Sequence, residues 1–137
     1  MRLVHASIDW PGTWEQVMPH LSKAMAEGMY RDWTLEQVRE QVLAGLWGLY
    51  GVVDDEGQVI GAGVVTVAVT GRRRALEVLL FGAIASTHTW RDLLAPLKDL
   101  ARSMDCSVLK GQGRPGWARA LEGATAIACF EVDCGTA

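Results

Sequence analysis

Apolar residues recur at helical spacing in the first part of the chain. Trp14, Val17, Leu21 and Met25 share one face of a helix lying within residues 11–29, its body expected at 13–28. Thr13-Trp14-Glu15-Gln16 has the form of a capping box, and Pro19, inside the pattern, predicts a kink or a division. A second helix is expected at 35–45. It opens on another capping box, Thr34-Leu35-Glu36-Gln37, carries Leu35, Val38, Val42 and Leu46 as its buried stripe, and frays at Gly45.

From Trp47 the period changes to that of strands. Residues 47–53 and 59–69 read as two strands around the turn Asp54-Asp55-Glu56-Gly57, with Gly61 and Gly63 marking a bulge in the second. A second turn, Gly71-Arg72-Arg73-Arg74, leads to a third strand at 75–81. Its three arginines read either as a solvated turn or as an anion patch. A third helix is expected at 90–104, with Trp90, Leu93, Leu94, Leu97, Leu100 and Met104 on its apolar face and Pro96 at the start of its main body. Short strands at 106–110 and 126–132 flank a loop, 111–116, and a short fourth helix, 117–121. The helical crossover between the third and fourth strands predicts that they run parallel. The expected architecture is one α/β (α+β) domain over residues 1–137, a mixed sheet built on an antiparallel meander.

Composition narrows the function classes. With 50% hydrophobic and 21% charged residues among 137, the chain is neither disordered nor fibrous. Thirteen basic against 16 acidic residues give a net charge of −3, which disfavours a nucleic acid partner, since such binding rests on phosphate neutralisation. Cys106, Cys129 and Cys134 form an odd set without CxxC spacing, and His5, His20 and His88 are scattered, so free thiols and no metal site are expected. The longest apolar run, Val78 to Ala85, is far short of the ~20 residues that span a bilayer, and charge interrupts the first residues before a leader could form. A cytoplasmic protein without membrane attachment is therefore expected. Six tryptophans against two tyrosines and two phenylalanines are unusual; Trp10, Trp33 and Trp47 lie near element ends, where exposed rings would serve a protein partner.

The element order, two helices, a three-stranded meander, a helix, a strand, a short helix and a strand, resembles the GNAT fold of Gcn5-related acyltransferases. Trp90–Leu94, Ala101-Arg102-Ser103-Met104-Asp105-Cys106 and Gly113-Arg114-Pro115-Gly116-Trp117-Ala118-Arg119-Ala120-Leu121 further resemble small GNAT-like proteins of tailed bacteriophages. What the GNAT resemblance implies can be followed along the chain. The family holds the acyl-CoA pyrophosphate on backbone amides after the third meander strand, in a (Q/R)xxGx(G/A) loop. The matching stretch, 79–87, offers Gly82, Ala83, Ser86 and Thr87 but lacks the Gln/Arg and the GxG spacing. The tyrosine that protonates the departing thiolate is matched by Arg119, which stays protonated near neutral pH. Glu77, in the third meander strand, would be the base if it faced a cleft, and surface otherwise. Arg114, Trp117 and Arg119 read either as structural residues of the GRPGW segment or as a partner site.

With both motifs altered, the resemblance implies a non-catalytic phage protein that uses no cofactor and binds a protein of the virion or the host, in the host cytoplasm or the virion. The alternative is a divergent acyl-CoA-dependent N-acyltransferase that uses acetyl-CoA.

Overall fold

A computed structural model describes residues 1–7, 10–26, 30, 32–83, 88–111 and 132, the side chains of 88–91 excepted. Among these residues the chain forms β1 (Arg2–His5), α1 (Thr13–Met25), α2 (Leu35–Leu43), β2 (Gly48–Val53), β3 (Val59–Thr70), β4 (Arg73–Ala83), α3 (His88–Ser103) and β5 (Val108–Gly111). The strands make one sheet in the order β1-β2-β3-β4-β5. Neighbours from β1 to β4 pair antiparallel, and β4 pairs with β5 in parallel, as the helical crossover through α3 requires. The mixed α+β architecture expected from the sequence is present. The fourth helix expected at 117–121 and the last strand expected at 126–132 lie outside the described residues, apart from exposed Val132.

Two apolar layers hold the helices to the sheet. α1 and α2 cover one face, where Val17, Leu21 and Val38 pack with Leu49, Ala62, Val64 and Leu80. α3 covers the other, where Leu93, Leu97 and Ala101 pack with Tyr50, Val52, Val65, Leu76 and Val78. Cys106 is buried in that second layer as a free thiol, and its backbone N–H donates to Ala101 at 2.8 Å.

Several local expectations are corrected. β1 has no counterpart in the sequence reading. At four residues on a sheet edge, mostly exposed, it lacks the alternation that identifies a half-buried strand. The start of α1 is not a capping box: the N-cap is Gly12, at φ 82°, and no side chain caps the helix. Only glycine takes that left-handed conformation without strain. The box at the start of α2 is present, with the Gln37 N–H donating to Thr34 Oγ at 3.1 Å and the Thr34 N–H donating to Gln37 Oε1 at 2.8 Å. Pro19 and Pro96 lie inside α1 and α3. Each removes one N–H, and the carbonyls left without it, on Glu15 and Asp92, belong to exposed residues that water can satisfy. The turn Asp54–Gly57 is built as expected: Asp54 Oδ1 accepts from the N–H groups of Glu56 and Gln58, both at 2.9 Å. Of the three arginines, Arg73 and Arg74 already belong to β4, and Arg74 donates to the Met104 carbonyl at 3.0 Å.

Candidate functional site

Among the described residues, two bulges interrupt the ladders. Ile60 is the extra residue where Val52 pairs with Gly61 and Val53 with Val59, next to the glycine at which a bulge was expected. The other falls in β4: Val64 pairs with Leu80 and Val65 with Val78, so Leu79 is left over. A bulge adds one residue and reverses the alternation beyond it. Leu76 and Val78 accordingly face the α3 layer, whereas Leu80 faces α1 and α2. The described pairing of β4 with β5 runs from Ala75↔Val108 to Val78↔Gly111. β4 continues to Ala83. The bulge at Leu79 therefore bends β4 four residues before its end.

Glu77 lies immediately before the bulge, and alternation puts it on the face of α1 and α2, opposite Leu76 and Val78. It is half-buried. In the sheet its register neighbours are Thr66 on β3 and Lys110 on β5. Side chains paired across strands share a face, so Thr66, Glu77 and Lys110 form a row across three strands. The Thr66 hydroxyl donates to the Leu46 carbonyl at 3.2 Å, which ties the row to the segment between α2 and β2.

Above this end of the sheet stand three half-buried aromatic residues. Trp33 and Trp47 stack with ring centroids 5.1 Å apart, and Tyr30 meets them edge-on at 5.5 and 5.8 Å. All three border the apolar layer beneath α1 and α2. Burial, and secondly the charge of Glu77, hold the Tyr30 phenol above its ordinary pKa. That coupling ties the aromatic group to the row. A groove of about 540 Å³ adjoins both, with Trp47, Thr66, Leu46, Val42, Tyr50 and His5 in its wall. Burial alone raises Tyr50, whose ring meets His5 edge-on at 5.3 Å.

These phenols can be observed directly, because Tyr30 and Tyr50 are the chain's two tyrosines. A pKa raised on folding confers stability that is complete below the unfolded value, 10.0, and is lost as pH climbs through the folded one. Phenolate absorbance of the folded protein is expected to grow in only above pH 10, with the urea midpoint falling over the same range. A phenol titrating at its ordinary value in folded protein would contradict this placement.

Gly82 and Ala83 close β4. A Cβ on Gly82 would overlap the backbone carbonyl of His20 in α1, so on that side the absent side chain is required by helix packing. Lys23 of α1 donates to the Ala83 carbonyl at 3.5 Å. Ser86, Thr87, Arg114, Trp117 and Arg119 lie outside the described residues, as do Cys129 and Cys134. Of the tryptophans expected near element ends, Trp10 is 66% exposed, while Trp33 and Trp47 are taken up by their stack. Tyr30, Thr66 and Lys110 were not among the sequence candidates. The crossover announced that β4 and β5 are neighbours, but only their register puts Lys110 beside Glu77.

No protein-family model matches the sequence, and no curated protein matches it either. Solved structures do match the fold. A probable acetyltransferase is similar over 100% of both chains, with a TM-score of 0.66 at 10% identity. A GNAT family acetyltransferase from Staphylococcus aureus is similar over 97% of this chain and 98% of its own, with a TM-score of 0.57 at 12% identity. An aminoglycoside acetyltransferase from an uncultured soil metagenomic sample, solved with trehalose, is similar over 99% of this chain and 96% of its own, with a TM-score of 0.67 at 5% identity. At such identities the likeness establishes the fold: the chain has a GNAT-like fold.

Two expectations are corrected by this finding. The structural neighbours are acetyltransferases, which favours the acyltransferase alternative over a non-catalytic binding role, and nothing in them points to a bacteriophage or a virion. The expected absence of a cofactor conflicts, at the level of the fold, with the same likeness to acetyltransferases. The physical reason is that an altered loop motif does not by itself remove a phosphate site. Pyrophosphate is held chiefly by backbone amides, which a chain can present with other side chains in place. Among the described residues, no helix is long and apolar enough to cross a membrane.

Proposed function

We propose that this chain is a divergent acyl-CoA-dependent N-acyltransferase. The observation that carries the reading is a fold shared end to end with acetyltransferases, in which a half-buried glutamate, Glu77, stands two residues before the bulge at Leu79. A bulge bends its strand and strengthens the local twist. We infer that the bent end of β4, beyond the bulge, receives the thioester arm of the donor. A bound acyl-CoA would supply an activated thioester carbonyl. The backbone of β4 beyond the bulge would hold it, and the hydroxyls of Ser86 and Thr87 follow in the sequence as further candidates. Gly82 serves helix packing and is not assigned to the phosphates.

The acceptor amine approaches from the face of α1 and α2, where Glu77 is half-buried and takes the amine's proton. The N–C bond then forms as the C–S bond breaks. An ammonium acceptor gives up two protons in all: one passes through Glu77 to solvent, and the other ends on the released thiol. Tyr30 keeps its proton at neutral pH and adds no competing negative charge beside Glu77.

Donor binding would stabilise the fold by mass action, by roughly 2.7 kcal/mol at a concentration 100-fold above Kd. For a chain of this size that amounts to several degrees in Tm. Acetyl-CoA is expected to raise Tm in a concentration-dependent way. An unchanged Tm at millimolar acetyl-CoA would count against the proposal.

A further inference from the structure

Glu77 and Lys110 are direct register neighbours on one face, their backbones about 4.8 Å apart, yet they form no ion pair among the described residues. A site with one carboxylate and one ammonium side by side is matched by a ligand carrying the same two charges in reverse. Thr66, the neighbour of Glu77 in the same row, shares the wall of the groove with Trp47, whose ring packs with those of Tyr30 and Trp33, half-buried and so still presenting apolar surface, and that groove gives room for a side chain.

From this juxtaposition we infer that the acceptor is a zwitterionic α-amino acid with an apolar or aromatic side chain. Its ammonium sits on Glu77, its carboxylate on Lys110 and its side chain against the three rings. The inference rests on the N-acyltransferase reading and names the substrate class for it. Each element has a separate physical basis. The carboxylate gains a charge-assisted hydrogen bond from Lys110, the ammonium gains the same from Glu77, and the side chain gains burial and ring contact. A simple amine would use only two of the three.

The test uses three probes of one shape: L-phenylalanine, phenethylamine, which lacks the carboxylate, and 3-phenylpropionate, which lacks the amine. Binding is followed by tryptophan fluorescence and calorimetry without any acyl donor. L-Phenylalanine is expected to bind at least about tenfold more tightly than either analogue. Lys110→Met should erase its advantage over phenethylamine, and Lys110→Arg should restore most of it. Equal affinities for L-phenylalanine and phenethylamine, or an advantage that survives Lys110→Met, would overturn the inference. So would the absence of any binding of L-phenylalanine.

Acetyl transfer from acetyl-CoA separates this inference from the reading beneath it. Transfer to phenethylamine as fast as to L-phenylalanine overturns the acceptor class and leaves acyl transfer standing. No transfer to either, with no binding of acetyl-CoA, overturns acyl transfer itself.

Discussion

Replacing Gly82 by alanine is expected to destabilise the protein by about 3 kcal/mol, and replacing it by valine by more, because the added atoms have nowhere to go. An ideal Cβ at this position would overlap the His20 carbonyl oxygen and lie 2.8 Å from the His20 carbonyl carbon and 3.4 Å from its Cα. All three are backbone atoms of α1, so no side-chain rotation relieves the clash; the helix must move off the sheet. α1 is fixed by Val17 and Leu21, at 2% and 0% exposure, and displacing it opens the layer beneath it. Gly51 in β2 is the control. A Cβ there meets nothing within 4 Å, and alanine should be neutral within about 1 kcal/mol. Urea denaturation of the two alanine variants measures the difference directly. A Gly82→Ala protein as stable as the parent would show that α1 does not sit on β4 as described. The effect also bears on function: a Gly82 variant that no longer responds to acetyl-CoA would report lost packing, not a lost phosphate contact.

Glu77→Gln has the largest expected effect on catalysis. Removing a positioned general base lowers turnover by about 100-fold to 10,000-fold. Stabilisation by acetyl-CoA should persist, since the donor is assigned to the backbone beyond the bulge. A second readout does not depend on activity. Because the charge of Glu77 contributes to raising the Tyr30 phenol, its removal should move that titration down, though not to the ordinary value, since burial remains and is the larger cause. Unchanged turnover in Glu77→Gln would remove Glu77 from the chemistry. An unchanged Tyr30 titration would show that the two groups are not neighbours.

The antiparallel meander of β2, β3 and β4, the parallel pairing of β4 with β5 and the helices α1, α2 and α3 were legible from periodicity and turn chemistry. What escaped did so for identifiable reasons. β1 is too short and too exposed to alternate. The Thr13 box and the Gly12 cap compete for the same helix start, and composition does not decide between them. Pro96 reads as a boundary because its missing N–H should break a helix, and the exposure of Asp92 one turn earlier removes that cost. Glu77 was found as a residue type in a strand. Its setting was not, because it depends on quantities that appear only when strands are aligned. The bulge at Leu79 is hidden inside an apolar run, Val78-Leu79-Leu80-Phe81, where every residue suits either face. Lys110 joins the row only through the β4–β5 register, and Tyr30 only through the packing of the segment between α1 and α2. Function is less legible than fold because a phosphate site built on backbone amides need not keep the side chains of its motif.

Release of free CoA thiol, followed with purified protein, acetyl-CoA and a panel of apolar amino acids and simple amines, tests the proposed acyl transfer most directly. The account predicts acceptor-dependent thiol release, equal in amount to N-acetylated product identified by mass spectrometry, and its near-complete loss in Glu77→Gln. No acetylated product from any amine, with a Tm unmoved by acetyl-CoA, would contradict it.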